Sequence, residues 1–178
     1  TGDDFNNNLE GGSGSDTLIG GNGSDIYVYN YASESSPDNA DKITGVFDGG
    51  SADFIHLNMK VGNLAVIQSQ NANFSSASLN TSTLNTLLNS TNGTLSNHLS
   101  GDNNTNIAII TTSDNKKFFA IDIDGSGTFT SDDMLIDVSN STLTSVTTET
   151  FINSGDTTAP IFVSATVNGN SLVMTYTD

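Results

Sequence analysis

Apolar residues in this chain come in short alternating runs bounded by Gly, Asn, Asp or Ser, and this pattern predicts strands more than helices. IAIITT (107–112) and KFFAIDI (117–123) flank Ser113-Asp114-Asn115 and read as a hairpin, and MLIDV (134–138) reads as a further strand. Near the end of the chain, Ile161, Val163, Ala165 and Val167 alternate, as do Leu172, Met174 and Tyr176, around an Asn168-Gly169 turn. Helical spacing is rarer. Leu84, Leu87 and Leu88 suit one face of a short helix capped near Ser82 or Thr83, Leu95 and Leu99 a second turn, and LTSVTTETFI (143–152) a short helix with Phe151 and Ile152 on the core.

One segment follows neither period. In GGSGSDTLIGGNGSDIYV (11–28), Gly11, Gly12, Gly14, Asp16 and Leu18 recur nine places later as Gly20, Gly21, Gly23, Asp25 and Tyr27. The glycines permit a tight turn with crowded or left-handed backbone, and the residues after each aspartate form a short strand with one inward side chain. Units of this kind stack, so each coil buries its apolar face against the next. The same register puts Asn7 and Leu9 in a degenerate unit upstream; a second register, with three residues inserted, makes Thr1-Gly2-Asp3-Asp4 the tail of another turn.

This unit resembles the G-G-x-G-x-D-x-U-x nonapeptide of RTX (repeats-in-toxin) calcium-binding secreted bacterial proteins. The following Asp41, Ile43, Phe47, Gly50, Asp53, Ile55 and Leu57 resemble the D-x-I … F … G … D-x-I-x-L stretch that closes serralysin-type rolls, with Val46 where that pattern often has Asp. The resemblance implies a mainly β fold: a parallel β-roll capped by a β-rich region with one or two short helices. It also implies calcium between turns two repeats apart, with Asn7 and Asp25 on one edge and Asp16 on the other. The carboxylates would be joined by backbone carbonyls of Gly11, Gly12, Gly14, Gly20, Gly21 and Gly23, since calcium takes six to eight oxygens in flexible geometry. A metal-free glycine linker is disfavoured by two full units in phase, each with its aspartate. A phosphate-cradling loop is disfavoured by those same carboxylates and by the lack of a following lysine. Asp41 and Asp53, near the capping strands, are a third candidate pair.

A different spacing marks residues 122–133. Asp122, Asp124 and Ser126 occupy positions 1, 3 and 5 of an EF-hand-like loop, Gly127 position 6, the carbonyl of Thr128 position 7, and Asp133 position 12. Asp is shorter than the usual Glu at position 12, so Asp132 and Asp133 both remain candidates for the closing carboxylate. The flanks are strand-like, and the loop is expected outside a helix–loop–helix.

Charge sharpens the picture. Twenty acidic residues face four lysines and no arginine, for a formal charge of −16. Such a chain has no basic patch to neutralise phosphates, and it repels itself unless cations bind. It has no cysteine, hence no disulfide or thiolate site, and no apolar run long enough for a transmembrane helix. His56 and His98 fit no zinc spacing, and there is no G-x-S-x-G elbow, so no enzyme is expected.

The expected layout is roll end and capping strands over 1–57, a β-rich region with the EF-hand-like loop over 58–155, and over 156–178 a linker with the first two strands of a truncated immunoglobulin-like repeat. The chain starts within a repeat and stops within a strand, as an internal piece of a longer protein would. The expected partners are Ca2+ and neighbouring domains of the same polypeptide, with no nucleic acid and no membrane insertion. The expected role is a calcium-binding structural module of a large secreted or cell-surface bacterial protein, which by resemblance to RTX proteins implies type I secretion. The alternatives are an accessory C-terminal domain of a secreted hydrolase or epimerase, or a glycan-binding module.

Overall fold

The computed structural model describes residues 1–47, 53–59, 61–88, 104–144, 146–153, 161–168 and 171–177. Gly50, Leu95, His98, Leu99, the linker 156–160 and Gly169 lie outside the described residues. Each N-terminal coil contributes a short strand that pairs in parallel within one of two sheets: β1 (Asn8–Leu9), β2 (Thr17–Ile19), β3 (Ile26–Tyr29) and β4 (Asp41–Thr44) alternate between them. After β5 (Val46–Phe47), β6 (Phe54–Leu57) returns to the first sheet, pairing in parallel with β3. The inward residues Tyr27, Ile43, Phe47, Ile55 and Leu57 are fully buried. A strand of two to four residues cannot hold a sheet by itself, so stacking of coils supplies the stability.

The chain then leaves the nine-residue rhythm. Strand β7 (Leu64–Asn71), helix α1 (Thr81–Leu88), β8 (Thr105–Thr111), β9 (Lys117–Asp122) and β10 (Met134–Asp137) follow. The second sheet has the order β2-β4-β10-β9-β8-β7, so β10 docks in parallel on β4 and carries the β8–β9 hairpin with it. Strand β11 (Thr142–Leu143) pairs with β5, and β12 (Phe151–Asn153) extends the first sheet beyond β6. Strands from both sides of residue 57 therefore share sheets. The remaining described strands, β13 (Ile161–Asn168) and β14 (Ser171–Thr177), form an antiparallel hairpin with an irregularity between Phe162 and Ser164.

Burial on both faces explains why β8 and β9 read as nearly continuous apolar runs. Alternate residues of β9 point to opposite sides: Phe119 and Ile121 join the roll core, whereas Phe118 and Ala120 join a second core with Leu84, Leu88, Phe129 and Leu135. An aromatic chain crosses the first core. Tyr27 meets Phe47 at 6.1 Å, Phe47 meets Phe119 at 5.6 Å, and Phe119 meets Phe151 at 5.4 Å between ring centroids. The last two contacts are edge-to-face, a favoured arrangement that ties the coils to the later strands.

Two expectations change. Residues 148–150 form one 3-10 turn and Phe151–Asn153 is a strand, not part of a helix, because pairing with the free edge of β6 satisfies its backbone. Helix α1 is capped by Asn80, which accepts the Thr83 N–H (3.0 Å), while the Thr83 hydroxyl accepts the Asn80 N–H (3.0 Å).

Small hydroxyls lock the later strands to the roll. Ser35 is fully buried; its Oγ donates to the Leu135 carbonyl (2.7 Å) and accepts the Asp41 N–H (3.0 Å). Ser141 Oγ likewise donates to the Ile43 carbonyl (2.9 Å) and accepts the Gly45 N–H (3.1 Å). Ser35→Ala would leave a buried donor and acceptor unpaired, so we expect a loss of about 1–3 kcal/mol, measured by denaturant unfolding. An unchanged unfolding midpoint would show that the bridge adds nothing.

Candidate metal centres

The turn aspartates form two ladders, one on each edge of the roll. On one edge the Asn7 N–H donates to Asp25 Oδ1 (2.9 Å) and the Asp25 N–H to Asp53 Oδ1 (2.9 Å). On the other edge the Asp16 N–H donates to Asp41 Oδ1 (2.8 Å). Asp41 and Asp53 therefore do not come together as a pair; each continues one ladder. The coil starting at Gly2 keeps the nine-residue register. In it Asn7 Oδ1 accepts the Asp3 N–H (2.7 Å), so the amide closes its own turn where later coils place a carboxylate.

In each ladder Oδ1 is committed to stacking; the second oxygen of Asp25 lies against Gly20 and that of Asp53 against Gly45, while Asp41 has the buried Tyr29 hydroxyl as a neighbour. Oδ2 of Asp25 and Oδ2 of Asp41 are buried with no hydrogen-bond partner, whereas Oδ2 of Asp53 accepts the Val46 N–H (2.7 Å). The first glycine of each unit makes room for its carboxylate: a Cβ on Gly11 would lie 2.9 Å from Asp16 Oδ2, and one on Gly20 would collide with Asp25 Oδ2. Gly21 has a φ of +106°, and a Cβ there would run into the carbonyl of Asp3 in the coil below. Gly12, Gly14 and Gly23 also have positive φ.

Tyr27 closes the same edge from inside. Its hydroxyl donates to the Thr44 carbonyl (2.8 Å) and accepts the Gly20 N–H (3.1 Å). Burial, with the charges of Asp53 and Asp25 adding to it, holds the phenol protonated. Burial likewise pushes the Asp41 carboxyl up to about 6, with Asp16 and Glu34 contributing, and raises Asp53, with Asp25 contributing. These carboxylates are costly to ionise without a cation.

The loop between β9 and β10 gathers a second centre. Carboxylate oxygens of Asp122, Asp124 and Asp133 all lie within 4.8 Å of one another. Asp122 and Asp133 are fully buried. Gly125 and Gly127 take φ of 63° and 77°, which lets the loop fold back so that the Gly127 N–H reaches Asp122 Oδ2 (3.2 Å). Asp133 Oδ1 accepts the Ile123 N–H (2.9 Å), and its Oδ2 accepts the Thr130 N–H (2.6 Å). The Ser126 N–H donates to Asp124 Oδ1 (2.9 Å), and Ser126 Oγ donates to the Thr128 carbonyl (3.1 Å). Asp132 is exposed and stands apart from the three clustered carboxylates.

One oxygen here, Asp122 Oδ1, is buried without a partner. Burial pushes Asp122 up to about 6, and the facing Asp133 charge adds to the shift. Burial raises Asp133 as well. Burial raises Asp124 most strongly of any single cause, but hydrogen bonds from Ser126, joined by Asp122 and its own backbone, together hold that carboxyl below the usual range. Three hard carboxylate donors, one of them with an unpartnered buried oxygen, match a calcium ion better than a softer metal. His56 sits half-buried on β6, away from this chemistry in sequence.

Two partners in these centres carry no sequence signal of their own, Ser35 behind Asp41 and Asn85 of α1 against Phe129, while Tyr27 adds a hydroxyl at a repeat position that holds leucine one unit earlier.

Stacked glycine–aspartate coils with unpartnered acid oxygens at both edges define a calcium-type β-roll domain. The chain belongs to the Peptidase M10 serralysin C terminal family, which matches residues 5–152. This family is a calcium-binding, non-catalytic C-terminal domain of secreted proteins, distinct from the peptidase domain. No curated protein matches the chain. Among the described residues no helix is long and apolar enough to cross a membrane.

Proposed function

We propose that this chain is a calcium-dependent structural module of a large secreted or cell-surface protein, folded and rigid only where calcium is plentiful. The observation that carries the reading is the set of buried carboxylate oxygens without partners, on Asp25, Asp41 and Asp122. Burying such oxygens is expensive unless a charge meets them. In this reading Asp25 and Asp53 serve one roll edge, Asp16 and Asp41 the other, and Asp122, Asp124 and Asp133 the loop. Carbonyls of the turn glycines and of Thr128 complete the oxygen sets. Calcium supplies compensating positive charge to these acids, and binding is linked to folding because the sites exist only in the folded chain.

In a calcium-poor cytoplasm the chain, at −16, would stay extended and exportable, consistent with a type I secretion route. The hairpin of β13 and β14 fits the start of an immunoglobulin-like repeat and thus a tandem-domain, adhesin-like parent. The family match supports a second reading, an accessory domain of a secreted enzyme; a catalytic domain elsewhere in the parent polypeptide would select it.

Calorimetric titration with calcium tests the module reading. The unaltered chain should show at least two classes of site, Asp25→Asn should weaken one, and Asp122→Asn should abolish the other. No calcium uptake at millimolar concentration would overturn the proposal.

A further inference from the structure

The EF-hand-like loop does not stand free: a side chain from a distant helix grips its middle. Asn85, in the second turn of α1, accepts the Phe129 N–H through Oδ1 (2.7 Å) and donates to the Phe129 carbonyl through Nδ2. The amide thus copies the pairing of a neighbouring strand, across 44 residues of sequence. Phe129 is fully buried in the second core beside Leu84 and Leu88 of the same helix, so ring and backbone are both fixed. Residue 129 lies between Thr128, whose carbonyl is the position-7 donor, and Thr130, whose N–H and hydroxyl hold Asp133 Oδ2 (2.6 and 3.1 Å).

We infer that Asn85 is a positioning residue for calcium, holding the Thr128 carbonyl and Asp133 in register with Asp122 and Asp124 so that the folded loop presents them together to the ion. This rests on the calcium reading of the loop given above. Without the clamp, among the described residues, the segment from Gly127 to Thr130 keeps the buried Phe129 ring and local turn bonds, and more of the entropy of ordering its backbone falls on the ion. Groups behind metal ligands typically change affinity by about 10–100-fold when removed. The coupling also runs the other way. Helix α1, TSTLNTLL, is eight residues long and rich in threonine, too short and too poor a helix former to persist alone. Its hold on the loop is part of what keeps it folded, so calcium in the loop stabilises α1.

Site-resolved titration of the full chain tests this. The Gly127 amide, bonded to Asp122, reports the loop, and the Gly21 amide, in a roll turn, is the internal reference. We expect Asn85→Ala and Asn85→Ser to raise the calcium midpoint at Gly127 about 10–100-fold relative to Gly21. Leu87→Ala, which thins the same helix without touching the clamp, should leave that ratio within about threefold. Equal ratios in Asn85→Ala and the unaltered chain would overturn the inference while leaving the loop site standing, as would a Leu87→Ala shift as large as that of Asn85→Ala. If Gly127 shows no calcium response in the unaltered chain, the loop site and the inference fall together. Serine at 85 keeps a polar side chain on α1, so the comparison survives if the alanine variant folds poorly.

Discussion

Removing calcium with a chelator should lower the melting midpoint of this protein by about 10–20 °C and erase much of its β signal at physiological temperature. The size follows from linkage. An ion that binds only the folded chain adds about 2.7 kcal/mol when present at about 100 times its dissociation constant. Two independent centres, roll and loop, would give about 5 kcal/mol, and each kcal/mol moves the midpoint of a domain this size by about 2–4 °C. Self-repulsion works in the same direction, because each bound ion offsets part of a formal charge of −16. The measurement is thermal melting by circular dichroism in millimolar calcium and in chelator. The Asp25→Asn, Asp122→Asn double variant should lose most of the difference. Superimposable melts with and without calcium would end the idea of a calcium-dependent module. Magnesium at the same concentration should recover little, since it demands tighter octahedral geometry and sheds water reluctantly.

Local chemistry was legible in the sequence wherever it repeats. The nine-residue period from Gly11 to Val28 is visible because the turn needs glycine at fixed places: Gly21 at φ +106° against the carbonyl of Asp3 leaves no choice of residue. The candidate carboxylates of the loop were legible because oxygen donors must fall at fixed steps along a tight turn. Long-range pairing was not. Nothing local in Phe151–Asn153 says that it will extend the roll sheet beside β6, and its threonine-rich approach suggested a helix instead. Nor does Asp41 announce that it stacks on Asp16 rather than meeting Asp53, since the edge a coil lands on depends on the number of residues between strands. Strand β7 was missed because LAVIQSQN has weak alternation and gains its place from parallel pairing with β8. Asn85 and Ser35 could not be found from sequence at all: each is an ordinary polar residue until a partner 44 or 100 residues away comes within reach.

Acid should have opposite effects on the calcium-free and calcium-loaded protein. Burial raises Asp41 and Asp122 from 3.8 to about 6, with like charges adding to each shift, and it raises Asp53 and Asp133 in the same direction. Between pH 4 and 6 the calcium-free folded chain therefore holds more protons than the unfolded chain, and its stability falls as pH rises through that window. The contribution is fully present below about pH 4 and lost above about pH 6. With calcium the sign reverses, because the ion needs the ionised acids and protons compete for the same oxygens. Melting midpoints measured from pH 4 to 8 should thus descend in chelator and climb in calcium, converging near pH 4. Asp122→Asn separates the two effects at pH 7. The amide has no charge to desolvate beside Asp133, and it can still accept the Gly127 N–H through its own oxygen. It should therefore raise the midpoint in chelator while lowering it in calcium. If the substitution moves both midpoints the same way, the buried carboxylates are not held in place by the ion they were expected to bind.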